Sequence, residues 1–264
     1  DMFGKYSSEI IFSSPVDKPG GYEYYADLNG DGYSERIVLF NNTQGKASVK
    51  ILDLKDFILD HFYFSGVIIQ NQGSLITGVF DSSGRVGIFL MTRSNDSILL
   101  HGVVPSGKRE LFRDMLITTL AEENGQKDFS ATSPYLIDLD RDGTREFVSG
   151  ILAGFQAHPR FSFSYNFRSG VLKITPTTVN HNFITDTVDL NRDGFPELIT
   201  DSYAIDNNEG RIQTPYDDNS SWMMVFDHNL EFFFPPVQYR GKYVRLALAT
   251  TSRYGKDYIF AVYE

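Results

Sequence analysis

"DLNGDGYSE", residues 27–35, places Asp27, Asn29, Asp31 and Glu35 within nine residues, around two glycines and just ahead of the apolar run "RIVLF". Three carboxylates roughly 5 Å apart repel one another by about 3 kcal/mol per pair at an effective dielectric of about 20. A chain that keeps such a stretch must offset that repulsion. The stretch returns as "DLDRDGTRE" at 138–146 and "DLNRDGFPE" at 189–197. Whatever offsets the repulsion is therefore a property of the architecture and not of one loop.

The starts of the last two copies lie 51 residues apart, and those of the first two 111 apart, about twice as far. The expected intermediate copy falls at "GVFDSSGRVGIFLM", where Asp81 and Gly84 remain with an apolar run behind them but the other carboxylates are gone. A fifth unit is read at "YVRLALATTSRYGKDYIFAVY", residues 243–263, as two short apolar strands around a Gly turn. Within the units, "RIVLFNN", "ASVKILDL", "HFYFSGVII", "FSFSYNF" and "WMMVFD" are short, rich in β-branched and aromatic residues, and bounded by Gly, Asn and Asp. That pattern reads as all-β. Four strands per unit of about 50 residues is the size of a propeller blade. The expectation is a single β-propeller domain over 1–264 with about five four-stranded blades, its units starting near 22, 75, 131, 181 and 240. "KYSSEIIF" near the N-terminus is expected to pair with the last blade and close the ring, because an open ring leaves unpaired edges.

Two segments stand out. "RELFRDMLITTLAEENG", 109–125, spaces Leu111, Met115, Leu116 and Leu120 as a helix would and ends at Asn124-Gly125, so a short helical insertion is expected in the second unit. Two short strands are the alternative reading. The polar stretch 201–221 reads as a long excursion between strands, and long loops on a rigid scaffold often carry binding.

Composition narrows the classes. The chain has 22 Phe and 15 Tyr, which favours strands, and no Cys, which excludes a disulfide-stapled fold and thiolate metal sites. Net charge is -10, and the three acidic loops hold ten carboxylates; without them acidic and basic residues balance at 24 each. The acidity is local, and no basic footprint for nucleic acid remains. No run of 18 apolar residues offers a membrane-spanning helix.

Oxygen-bearing residues at positions 1, 3 and 5, Gly at 6, a backbone carbonyl at 7 and a carboxylate at 9 suit a loop curled around a hard cation. An EF-hand closes with Glu at position 12 between two helices. Here Glu stands at position 9 and β-branched runs follow, so the flanks are strands. An all-oxygen donor set of six or seven favours calcium over magnesium or zinc.

The three loops resemble the D-x-D-x-D-G-x-x-E/D signature of FG-GAP and VCBS repeats, the propeller blades of integrin α-subunits and many bacterial surface proteins. The repeating units span about 20–264, and the specific motifs occupy 27 residues. The resemblance implies three structural calcium ions. The first would be held by Asp27, Asn29, Asp31 and Glu35 with the Tyr33 carbonyl. The second would use Asp138, Asp140, Asp142 and Glu146 with Thr144, and the third Asp189, Asn191, Asp193 and Glu197 with Phe195. The units at 81 and 243 depart from the signature and are expected to hold no ion. The FG and GAP elements are reduced to lead-in strands. Stretches such as "VKILDLKDFILDHFYFSGVI" are also similar to VCBS-type propellers of bacterial extracytoplasmic sensors.

The functional expectation is an extracytoplasmic, calcium-stabilised binding module of the sensor type, with a carbohydrate or protein ligand. Integrin-like surface adhesion and a polysaccharide lyase-like activity are the alternatives. No G-x-S-x-G, H-E-x-x-H or phosphate-cradling loop occurs. Five histidines (His61, His101, His158, His181 and His228) are scattered through the units. "AHPRF" offers His158 and Arg160 near a turn; Tyr216, Trp222 and the Asp217-Asp218 pair are candidates to line a pocket.

Overall fold

The computed structural model describes residues 21–69, 75–119, 129–153, 160–176, 178, 183–206, 208, 213–241, 245–253 and 256–263. The described residues form strands and turns only, with every strand pair antiparallel, and no helix long and apolar enough to cross a membrane occurs among them.

Four successive meanders make four sheets. The first consists of β1 (Tyr22–Ala26), β2 (Glu35–Asn41), β3 (Ala47–Leu52) and β4 (Ile58–Tyr63), paired in chain order. The second contains β5 (Val67–Ile68), β6 (Leu75–Val79), β7 (Val86–Ser94), β8 (Ser97–Val104), β9 (Glu110–Leu111) and β10 (Met115–Thr119). Here β5 and β6 share one edge of β7, while β9 and β10 share one edge of β8. The third holds β11 (Phe129–Ala131) and β12 (Tyr135–Ile137) on one edge of β13 (Glu146–Ala153), followed by β14 (Arg160–Tyr165) and β15 (Leu172–Ile174). The fourth runs β16 (Phe183–Val188), β17 (Glu197–Tyr203), β18 (Ser220–Phe226) and β19 (Val237–Arg240), and takes in the hairpin β20 (Arg245–Arg253) and β21 (Lys256–Tyr263).

Alternation along one central strand of each sheet, β2, β7, β13 and β17, decides the stacking. Ile88 and Leu90 of β7 pack with Ile37, Leu39, Val49 and Ile51 of the first sheet. The intervening Phe89 and Met91 turn to the other face and pack with Phe147, Ile151 and Phe163 of the third. Val148 of β13 then meets Leu198, Met224 and Phe226 of the fourth, and Ile199 with Val225 meets Leu246 and Leu248 of the last hairpin. A strand covered by sheets on both faces reads as a continuous apolar run, which is why "VGIFLM" lacks polar alternation. A ring cluster, with Phe167 4.6 Å from Phe89 and 5.1 Å from Phe112 between centroids, fills the gap between the second and third sheets.

Two expectations change here. Residues 109–119 are β9 and β10 and not a helix. Helical spacing would bury Leu111 and Leu116, yet they are 59% and 49% exposed, whereas Ile117 is buried. The run Ile117-Thr118-Thr119 is β-branched, and Met115, Leu116, Thr118 and Thr119 pair along β8 around a bulge at Ile117, so sheet pairing overrides the helical spacing. Residues 120–125 of that segment lie outside the described residues. The fifth unit is, among the described residues, a two-stranded hairpin and not a four-stranded sheet; Ser202 and Tyr203 of β17 pair with Leu246 and Arg245. The proposed ring-closing "KYSSEIIF" lies outside the described residues.

Phe147, fully buried between the second and third sheets, supplies a test of this stacking. Phe147→Ala is expected to lower unfolding free energy by about 3–5 kcal/mol, whereas Leu116→Thr should fall within about 0.5 kcal/mol of the parent, both read from denaturant midpoints.

Candidate metal centres

Each acidic stretch joins two antiparallel neighbours, β1 to β2, β12 to β13 and β16 to β17, and the closing Glu is the first residue of the later strand. Ala26 pairs with Glu35, Ile137 with Glu146 and Val188 with Glu197. The three sites therefore sit at the same turn of sheets one, three and four.

The same hydrogen bonds hold all three loops. The buried Glu accepts from the backbone N–H of position 2: Leu28 to Glu35 at 2.7 Å, Leu139 to Glu146 at 2.8 Å and Leu190 to Glu197 at 2.6 Å. The position-1 carboxylate accepts from the glycine at position 6, at 2.8 Å for Asp27, 3.3 Å for Asp138 and 2.9 Å for Asp189. Position 3 accepts from position 5, through Asn29, Asp140 and Asn191. Position 5 accepts from the N–H of position 7, so Asp31, Asp142 and Asp193 fix the peptides of Tyr33, Thr144 and Phe195. Gly32, Gly143 and Gly194 have φ of 89°, 84° and 93°. A Cβ on any of them would meet nothing within 4 Å, so glycine is required there by backbone conformation and not by space.

These bonds draw each carboxylate's outer lone pairs to the loop backbone. At the second site one ligand oxygen from each of Asp138, Asp140 and Glu146 can lie within 4.8 Å of the others. Asp138 Oδ1 is buried without a hydrogen-bond partner, and a buried, unpaired carboxylate oxygen costs about 1–3 kcal/mol or more. Burial, reinforced by the Asp140 charge, pushes the Glu146 carboxyl up to about 7, against N–H donors that pull it down. Glu197 is raised by burial and then by Asp193, Asp189 and Asp227. Asp27 and Asp193 are lowered, first by the N–H groups of Gly32 and Phe195 respectively. A hard divalent cation fits this set: it pairs the orphaned oxygen and removes the repulsion, and the donors are all oxygen. The ligands would be those named from the sequence.

One contributor escaped the sequence reading. Asn166, buried in the β14–β15 turn, donates its amide to Glu146 Oε1 at 2.6 Å, and its side-chain oxygen accepts from Arg168 and Ser169. In the first loop Asn29 itself performs that service, donating to Glu35 Oε1 at 2.9 Å. Where position 3 is Asp140 and has no N–H to give, the neighbouring turn provides it. The turn composition "NFRSG" was legible, but its approach to Glu146 arises only from the β13–β14 pairing.

The degenerate unit takes another route. Its loop, 80–85, is two residues shorter than 27–34, and Val86 occupies the strand position of the closing Glu. Arg85 stands in for a cation: its guanidinium meets Asp81 Oδ2 at 2.9 Å and Glu110 Oε2 at 2.7 Å. Neighbouring loops also touch. The Arg145 N–H donates to the Phe80 carbonyl, and the Arg141 side chain reaches the Gly194 carbonyl of the next loop.

The other sequence candidates are placed as follows. Tyr216 and Trp222, both half-buried, pack edge to face at 5.3 Å against the core between sheets three and four, and the Trp222 ring N–H donates to the Asp217 carbonyl. Asp218 is buried and faces buried Arg160. His158 and His181 lie outside the described residues, and His228 stacks on Phe195 at 4.4 Å. His101 links Thr92 Oγ1 at 2.7 Å to Asp114 Oδ1 at 2.8 Å. This order suggests a nucleophile relay, but Thr92 and His101 are fully buried and the hydroxyl donates to the Ser65 carbonyl.

No protein-family model and no curated protein sequence matches the chain. Among solved structures it is similar to the rhamnogalacturonan lyase YesW, at 16% identity and a TM-score of 0.55, over 92% of this chain and 44% of that one. It is also similar to the V. cholerae biofilm matrix protein Bap1, at 16% identity and a TM-score of 0.47, over 87% of this chain and 32% of that one. The chain thus spans less than half the length of either. The likeness to the lyase concerns the fold: an all-β arrangement of antiparallel sheets.

Arg85→Met is expected to lower stability by about 1–3 kcal/mol, because it leaves buried Asp81 without its counter-charge, and equally with calcium or with chelator in the melting buffer. In chelator, pH adds a second test. Folding raises the Glu146 pKa from its ordinary value near 4.5 to about 7, so the native chain holds an extra proton between those values. Stability should fall as pH rises from about 4.5 through about 7, and Glu146→Gln should flatten that slope.

Proposed function

We propose that the chain belongs to an exported, calcium-stabilised β-propeller of about five blades that works as a binding module for a carbohydrate or protein ligand. The observation that carries this reading is the second loop, where three carboxylates converge and Asp138 Oδ1 is buried without a partner. The recurrence of the same bonds in the first and third loops extends the reading to three ions. Stacked antiparallel meanders, the first of them four-stranded, support a propeller, since each sheet buries its faces only against its neighbours. Modules whose calcium sites are weak fill them where calcium is millimolar, outside the cytoplasm. The ions are structural: their ligands are spent on closing loops, and binding falls to other surfaces. The lyase named among the similar structures gives a second reading, a lyase-like activity, which the shared strand arrangement favours.

A ligand held only by the folded state adds about 2.7 kcal/mol per site at a hundredfold excess over Kd, or roughly 5–10 °C in Tm for a domain of this size. Calcium should therefore raise Tm markedly, metal analysis should return about three ions per chain, and Asp142→Ala should forfeit part of the gain. Superimposable melting curves in calcium and in chelator would sink the reading.

A further inference from the structure

We propose that the outer face of the first sheet carries a binding cleft for an acidic saccharide, a chain containing uronate units. The reading rests on the binding-module function above but uses none of the loop ligands.

The stacking leaves this face without a neighbour among the described sheets. Ile37 and Leu39 turn inward to the second sheet, so Phe40 and its cross-strand neighbours turn outward. The Phe40 ring lies on the floor, 6.0 Å from His61, which lies 4.3 Å from Tyr63. The Tyr63 hydroxyl meets His61 Nδ1 at 3.2 Å, and Tyr63 is 62% exposed. Phe40 is buried and backs the shelf, while His61 and the exposed Tyr63 present the aromatic surface, of the kind on which the C–H face of a pyranose packs. The cleft holds about 640 Å³, within the range of about 300–1,000 Å³ usual for small-ligand sites. Its rim is the β2–β3 turn, where Asn42 Oδ1 accepts from the N–H groups of Gln44 and Lys46 at 2.9 Å each. The turn is therefore set before a ligand arrives, and Asn41 is tied to the second sheet by accepting from the Ile68 N–H at 3.0 Å.

Charge selects the ligand class. Among the described residues the cleft is lined by Lys46 and Lys50 and by no Asp or Glu, in a chain with 34 acidic and 24 basic residues. A neutral sugar needs amides and a shelf; the exposed Lys46 ammonium beside that shelf matches a carboxylate on the ring it carries. Lys50 Nζ stands 4.9 Å over the Phe40 ring, beside the floor of the cleft.

The test is calorimetric titration of the calcium-loaded protein with trigalacturonate, with maltotriose as the neutral probe and inorganic phosphate as competitor. Trigalacturonate should bind, more weakly as salt rises, and maltotriose at least tenfold more weakly. Tyr63→Ala should lower affinity for trigalacturonate at least tenfold. Lys46→Gln should remove most of the preference for the acidic trisaccharide, with each variant's Tm in calcium checking the fold. No binding by a protein that still shows its calcium-dependent Tm, equal binding of maltotriose, displacement by phosphate, or indifference to both substitutions would each overturn the proposal. Binding of trigalacturonate by a chain whose Tm ignores calcium would support the cleft while removing the ion reading.

Discussion

The hydrogen bond from the position-2 N–H to the position-9 glutamate organises this protein. In each acidic loop a leucine N–H donates to the carboxylate that begins the next strand. That one bond fixes where the loop closes and which residue enters the sheet first. It also commits a glutamate to a buried position, since Glu35, Glu146 and Glu197 are all buried. A buried carboxylate is tolerable when its lone pairs are met. The loop meets one oxygen with backbone N–H, and the other faces an amide or the remaining carboxylates.

From that constraint follow both the electrostatics and the exception. The second loop has the most carboxylates, the orphaned oxygen and a glutamate pushed up to about 7. It is where a cation would gain most. The shortened loop at 80–85 meets the same problem with one acid, and Arg85 answers it from within the chain. The buried Asp81 carboxylate thus has a covalently tethered counter-charge in the loop that lacks a closing glutamate.

The stack of sheets separates stability from recognition. The interior faces are consumed by neighbours, and the loops at one end are consumed by their own hydrogen bonds and by loop-to-loop contacts. The accessible chemistry is therefore left to the terminal faces of the stack. The outer face of the first sheet presents rings beside the Lys46 ammonium.

The sequence by itself determined the strand class and the recurrence of one loop between paired strands, because these are local: β-branched runs, glycine at a left-handed position, and oxygen at every second residue. Asp138, Asp140 and Glu146 converge as their spacing required. Only the tertiary structure decided what depended on a partner strand. Leu111 and Leu116 have helical spacing, but pairing with β8 made them strand residues, because cross-strand bonds and the burial of Ile117 outweigh a weak local preference. Tyr216 and Trp222, candidates to line a pocket, pack half-buried against the core between sheets three and four. Asn166 reached Glu146, and Lys46, Lys50, His61 and Tyr63 came to share one cleft, through strand pairing that composition and spacing do not encode.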